Sequence, residues 1–238
     1  MLDISKIRAI GLDLDDTLWP IWPTIERAEL QLQQWLAQRA PRTAGVFSDP
    51  AARQELREQV VRARPDLGHD MSALRLEIIR LGLQRSNENP DHAAPAFEVF
   101  FEHRMRVDLF DDALPALQFL ASRFPIVAIS NGNADVGRVG IGAHFKASLS
   151  AHLFGVAKPD IRIFQAAATA VGVRPEELLH IGDDAELDVL GGLNAGMQTV
   201  WVNRSGQPWK HAPQPHASVT DLRQLCDLLG DGRGGSRG

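Results

Sequence analysis

Cysteine is almost missing from this 238-residue chain: Cys226 stands alone, which excludes a disulfide framework and the paired spacings of a zinc site. No run of about 18 apolar residues occurs, so no helical membrane span is expected. The N-terminus lacks a basic stretch followed by an apolar core, so no signal peptide is expected and the cytoplasm is the expected compartment. Positive charge is not in excess: 25 Lys and Arg stand against 30 Asp and Glu, for a formal net charge of −5. No basic stripe interleaved with aromatics occurs, which argues against a nucleic-acid surface. No Gly-x-Ser-x-Gly elbow is present, leaving a serine hydrolase without support. What remains is ordinary for a globular protein, 44% hydrophobic and 23% charged, with enough chain for one or two cores.

Apolar runs of strand length fall at 7–12, 125–129, 178–181 and 199–202. Between the later ones lie helical spacings: Leu114, Leu117 and Leu120; Ile161, Phe164, Ala167, Ala168 and Val171; Leu187, Leu190 and Leu193. Strands alternating with helices predict βαβ units and a parallel sheet. Pro159 and Pro175 suit first helical turns, and Gly172 suits the residue after a helix. The interval 20–108 differs, with helical patterns at 24–39, 50–63, 71–83 and 92–106 and no convincing strand, Pro41, Pro65 and Pro90 falling between them. The expected architecture is an α/β, Rossmann-like parallel sheet core (1–19 and 109–229) with an inserted all-helical domain (20–108). Ligands of open α/β sheets bind beyond the carboxyl ends of the strands, so an insertion after the first strand is expected to cap the site. Residues 203–217 read as a loop. A last helix runs to about 229, with Cys226 expected as a core thiol among its leucines, and 230–238 reads as a disordered tail.

The chemistry-bearing residues stand where strands end. Asp13-Leu14-Asp15-Asp16-Thr17 closes the first apolar run. Strand side chains alternate, so Asp13 and Asp15 can face one cleft. Carboxylates placed together repel unless a cation joins them or one is protonated. A polar turn is the alternative, since Asp and Thr favour turns and caps. Ser130-Asn131-Gly132 follows the second run, where a hydroxyl and backbone N–H groups can hold phosphate oxygens; a plain turn is equally open. Lys158-Pro159 stands at the start of the helix expected near Asp160. A cation there is ill placed for the helix dipole and well placed to meet an anion. Gly182-Asp183-Asp184, with Asp188 beyond, follows the third run. Acids at a strand end suggest a hard cation such as Mg²⁺, with a helix cap by Asp183 or Asp184 as the alternative.

Taken in order, Asp-x-Asp-x-Thr, Ser, Lys-Pro and Gly-Asp-Asp with a further Asp resemble the motifs of the haloacid dehalogenase superfamily, over nearly the whole chain. The resemblance implies a Rossmann-like core, a helical cap inserted after the first motif, and Mg²⁺-dependent phosphoryl transfer. It implies Asp13 as nucleophile and Asp15 as general acid and base. It places Thr17, Ser130, Asn131 and Lys158 around the substrate phosphate. Asp183 becomes the Mg²⁺ ligand, joined by Asp13 and the backbone carbonyl of Asp15, with Asp184 and Asp188 supporting them from behind. Superfamily members that cleave carbon–halogen bonds lack an acid at the position of Asp15, because halide leaves without a proton. The likeness therefore points to a phosphatase, or else to a phosphosugar mutase. A non-catalytic phospho-accepting module fits the motif order poorly. Residues 129–134, 182–184 and 65–70 are similar to bacterial flavin-pathway phosphatases, which act on FMN and on phosphorylated ribitylaminouracil. The expected partner is a small phosphomonoester, met by a monomer or homodimer, with no nucleic acid and no membrane. Trp19 and Trp22, either side of Pro20, read as a stacking surface for a planar ligand or as packing where the chain leaves the core.

Overall fold

The apolar runs become strands because both of their faces are covered. In the computed structural model, which describes residues 1–231, six strands form among the described residues. They are β1 (Ala9–Leu12), β2 (Ile126–Ser130), β3 (Ala147–Ser150), β4 (Leu178–Gly182), β5 (Gln198–Val202) and β6 (Ala217–Val219). The sheet order is β3-β2-β1-β4-β5-β6, and every pairing is parallel. β1, β2, β4 and β5 are buried along their whole length, as continuous Val/Ile/Leu-rich runs require. β1 lies between β2 and β4, so the chain winds outward in both directions from it. That reversal is the topological switch point, where open sheets of this type bind ligands.

The two edge strands are not anticipated from the sequence. β3 and β6 are short, partly exposed and carry small polar residues, so they lack the apolar run that burial on both faces produces. The stretch 203–217 is accordingly a loop that ends in a strand residue.

The helix Ile161–Val171 buries Ile163, Phe164 and Ala167 against Val127, Ile129 and Leu178 of the sheet. Asp160 caps it, its side chain accepting from Arg162 N–H at 2.9 Å, and Gly172 ends it at φ 76°. Pro159 therefore lies before the cap and outside the first helical turn where the sequence pattern puts it; the Lys158–Pro159 peptide is cis. The spacing at 187, 190 and 193 becomes a π-helical segment, Ala185–Leu190, followed by one α-turn, Gly191–Asn194. The last helix spans Leu222–Asp231, with Cys226 half-buried at the margin of its apolar face rather than in the core. The expected tail thus begins inside this helix, and its residues 232–238 lie outside the described residues.

The chain divides into two units, one built from Met1–Pro20 and the chain from Asp108 onward, the other from Ile21–Val107. The second unit contains the helices Ile21–Arg39, Pro41–Ser48, Pro50–Ala63, Met71–Arg85 and Ala93–Arg104 around Leu32, Leu36, Leu56, Ile79, Leu83 and Phe100. Pro41–Ser48 is unexpected from the sequence, where Pro41 reads as a break. Ala40 at its N-cap offers no side-chain acceptor. The cap comes instead from Glu88, distant in sequence. Its carboxylate accepts from Arg42 N–H (3.1 Å), Thr43 N–H (2.8 Å) and the Thr43 hydroxyl (2.6 Å). Helix N-termini need such acceptors, and here tertiary structure supplies them.

Replacing Glu88 with Ala should cost about 1–2 kcal/mol, the usual worth of a cap, in chemical denaturation. Glu88→Gln, which keeps an acceptor, should cost less. An unchanged midpoint for Glu88→Ala would show that this helix does not depend on its borrowed cap.

Candidate active site

The first acid continues the β1 ladder. Asp13 N–H donates to the Ile181 carbonyl of β4 at 2.9 Å, which fixes its backbone beside the neighbouring strand. The loop then folds back: Leu18 N–H reaches Leu14 O and Asp16 N–H reaches Trp19 O. Asp16 takes φ 57°, in the left-handed region that Asp tolerates better than most residues. Trp19 is fully buried and its indole N–H donates to Asp15 Oδ1 at 2.8 Å, so it supports Asp15 and offers no stacking face. Trp22 is 70% exposed.

The later motifs arrive at the same end of the sheet. Ser130 closes β2, buried, its Oγ accepting from Gly132 N–H at 3.0 Å. Asn131 grips the main chain of Lys158 from both sides: Oδ1 accepts from Lys158 N–H (2.7 Å) and Nδ2 donates to Lys158 O (2.9 Å). The ammonium of Lys158, buried, donates to Asp13 Oδ1 and to Asp188 Oδ1, each at 2.5 Å. Asp188 also takes His180 Nε2 on Oδ1 (2.9 Å) and Asp184 N–H on Oδ2 (3.1 Å). Asp183 accepts the Thr17 hydroxyl on Oδ1 (3.0 Å), and its carbonyl takes Trp201 Nε1 (2.7 Å). Asp184 caps the π-helical segment, its Oδ1 accepting from Glu186 and Leu187 N–H at 2.8 Å each.

Asp13, Asp15, Ser130, Asn131, Lys158, Asp183, Asp184 and Asp188 therefore line one cavity of about 170 Å³, together with Asp16. Thr17 is not on its wall; its hydroxyl is spent on Asp183. Sequence reading missed the supports: Trp19 beneath Asp15, His180 behind Asp188, Trp201 against Asp183. His180 left a signal, as the one ring nitrogen-bearing residue within the apolar run 178–181. Trp19 left its place directly after the first motif, where packing is one of its readings, and Trp201 left none, because a buried Trp is expected in any core.

The electrostatics are those of one cation among too many anions. Burial pushes Asp13 well above the usual carboxylate range, with Asp188 and Asp183 adding to the effect and Lys158 opposing it. Asp183 is pushed up to about 7, by burial first and then by Asp188. Burial works upward on Asp188 too, but Lys158 and His180 outweigh it and hold it at about 2. Lys158 is raised because its two carboxylates outweigh the burial that disfavours its charge. Burial lowers His180, which favours the neutral ring, and its Nε2 lies 2.9 Å from Asp188 Oδ1.

Asp13, Asp183 and Asp188 can each bring a carboxylate oxygen within 4.8 Å of the others. Three buried or half-buried hard oxygen donors facing a single ammonium fit a divalent cation such as Mg²⁺, which would relieve the two raised carboxyls. Both Asp188 oxygens are already engaged, so Asp13 and Asp183 are the pair with donors to offer.

A parallel α/β sheet with an acid–lysine–acid centre at its switch point is an arrangement suited to binding a cation and an anionic ligand together. A family model described as haloacid dehalogenase-like hydrolase matches residues 7–196, and the chain belongs to that family. It is 30% identical to 5-amino-6-(5-phospho-D-ribitylamino)uracil phosphatase YigB of Escherichia coli (strain K12), over 95% of this chain and 98% of that protein. It is 33% identical to phosphoserine phosphatase of Thermus thermophilus, over 63% of each chain. Among solved structures, the 2-haloacid dehalogenase of Pseudomonas syringae pv. Tomato DC3000 superposes with a TM-score of 0.89 at 34% identity, covering 94% of this chain and 99% of that one.

Gly182 has no room for a side chain, since a Cβ there would lie 2.2 Å from Asp188 Cγ. Gly182→Ala should push Asp188 off Lys158 and cost about 1–3 kcal/mol of stability, read by thermal or denaturant unfolding. A pH effect follows from Asp183, whose carboxyl rises from 3.8 unfolded to about 7 folded. Well below pH ~4 it is protonated in both states and costs nothing; as pH rises to ~7 the unfolded chain ionises first, so metal-free stability falls. A Mg²⁺ ion held by Asp183 would have to displace that proton at low pH, so added Mg²⁺ should raise Tm more at pH ~8 than at pH ~5. Equal shifts at the two pH values would contradict this assignment.

Proposed function

We propose that this chain is a Mg²⁺-dependent phosphatase that hydrolyses a small phosphomonoester through an aspartyl-phosphate on Asp13. The observation that carries the reading is the surrounding of Asp13: a buried carboxylate bonded to a buried lysine, with Asp15 two residues on and braced by an indole N–H. A carboxylate approaching a phosphate dianion to about 4 Å meets a repulsion of roughly 8 kcal/mol at an effective dielectric near 20. Lys158 offsets part of it. When bound to Asp13 and Asp183, with the Asp15 carbonyl, Mg²⁺ would supply the remaining positive charge at the phosphate oxygens.

In this reading Ser130 and Lys158 hold phosphate oxygens, and Asn131 acts by fixing the main chain from which Lys158 reaches. Asp13 attacks phosphorus as the ester P–O bond breaks, while Asp15 delivers its proton to the departing alkoxide. A water then attacks the aspartyl-phosphate, Asp15 takes its proton, and inorganic phosphate leaves with Asp13 restored. Thr17 serves by orienting Asp183, and Asp184 and Asp188 hold the far side of the site. The inserted helical unit takes the role of a cap that selects substrate. The relation to the E. coli ribitylaminouracil-phosphate phosphatase over nearly the full length supports a phosphorylated flavin-pathway metabolite, or FMN, as substrate. Because the P. syringae structure is named a haloacid dehalogenase, halide displacement is a second reading; Asp15, a proton carrier that a halide leaving group does not need, weighs against it.

The test is phosphate release with Mg²⁺ over ribitylaminouracil phosphate, FMN and sugar phosphates, alongside halide release from a 2-haloacid. Phosphate release without halide is expected. Asp13→Asn should abolish turnover with its thermal transition intact, and Asp15→Asn should lower kcat by about 10²–10⁴. Full activity of Asp13→Asn would end the proposal, and turnover of a phosphosugar without free phosphate would favour a mutase.

A further inference from the structure

We propose that Arg204 is a positioning residue of this site, setting the orientation of the Asp183 carboxylate through Thr17. The inference rests on the reading that Asp183 holds Mg²⁺. Arg204 lies just past β5, and its Nη2 donates to the Thr17 carbonyl at 2.9 Å while reaching both oxygens of Asp112 at 3.0 and 3.2 Å. Its guanidinium carbon sits 3.9 Å from the centre of the Phe110 ring. Asp112 is buried, and its Oδ2 also takes the N–H of Leu222, the first residue of the last helix, at 2.6 Å. The next carbonyl of the loop, Leu18 O, accepts from Phe110 N–H at 2.9 Å.

Thr17 and Leu18 are thus pinned at successive carbonyls, one by a side chain anchored on Asp112 and one by the backbone beside it. With its peptide fixed and its side chain wholly buried, Thr17 directs its hydroxyl onto Asp183 Oδ1. Trp201 meanwhile holds the carbonyl of the same Asp183. Asp183 is therefore set from two sides by the β5 segment: Trp201 acts on its main chain, and Arg204 acts on its side chain through Thr17. An ion pair serving stability alone would end at Asp112, which the bond to the Thr17 carbonyl goes beyond. All of these bonds leave from Nη2, and the planar guanidinium stacked on Phe110 holds that nitrogen between the carboxylate and the carbonyl, a placement that a lysine without a planar group does not reproduce. Groups that orient a metal-bound carboxylate govern how tightly the metal is held.

The test is Mg²⁺ binding, by calorimetry and by the Mg²⁺-induced rise in Tm, to the full-length protein and to Arg204→Lys, Thr17→Val and the double variant. Arg204→Lys should weaken binding about tenfold or more, as loss of a supporting group does at metal sites. Thr17→Val should weaken it too. The double variant should bind no more weakly than Thr17→Val alone, because Arg204 acts through Thr17. Thr17→Ser, which keeps the hydroxyl, should bind as the parent does. If Arg204→Lys does not fold, Arg204→Gln is read in the same way. Unchanged Mg²⁺ affinity in the Arg204 variants, or losses that multiply in the double variant, would overturn the inference while leaving the phosphatase reading in place. A parent protein that binds no Mg²⁺ would overturn the metal reading itself and this inference with it.

Discussion

The ammonium of Lys158, held between Asp13 and Asp188, is the interaction on which the rest of the site depends. A buried charge is tolerated only when it is paired and hydrogen-bonded, and breaking one partner of such a group leaves the other stranded. The surroundings serve that requirement. Asn131 clamps the lysine main chain, His180 satisfies Asp188 from behind, and Gly182 leaves the space that the Asp188 carboxyl occupies. One lysine still cannot neutralise Asp13, Asp183 and Asp188 together. The raised carboxyls of Asp13 and Asp183 are the physical expression of that shortfall, which a further cation would relieve.

The sheet makes this concentration of charge tolerable. β1, β2, β4 and β5 are buried on both faces, and Asp13, Ser130 and Asp183 stand at or just beyond the ends of three adjacent strands. Rigid parallel pairing fixes where these side chains begin, so the loops need span only short distances. Part of the local cost falls in the loop after β1, where Asp16 adopts a left-handed conformation. Functional sites commonly break local rules in this way.

Much of this was readable from residue order. Runs buried on both faces announced β1, β2, β4 and β5, and the acids, Ser130 and Lys158 stood out because polar groups closing apolar runs cost stability unless used. What escaped reading has a common cause. β3 and β6 are edge strands whose partial exposure leaves no apolar signature. The helix Pro41–Ser48 takes its cap from Glu88, so nothing near Pro41 marks its start. The partners of Thr17 and Asn131 also lie far along the chain: the Thr17 hydroxyl donates to Asp183, and the Asn131 amide bridges the main chain of Lys158.

Sequence alone determined which polar residues close the apolar runs and so stand at strand ends, because hydrophobic periodicity and the misplacement of charge are local properties of the chain. Only the tertiary structure decided how those residues share protons and partners. Which carboxylate Lys158 neutralises, which indole braces Asp15, and how Arg204 reaches the Thr17 carbonyl depend on contacts between residues far apart in the chain. Such contacts follow from strand order and register, which no local pattern encodes.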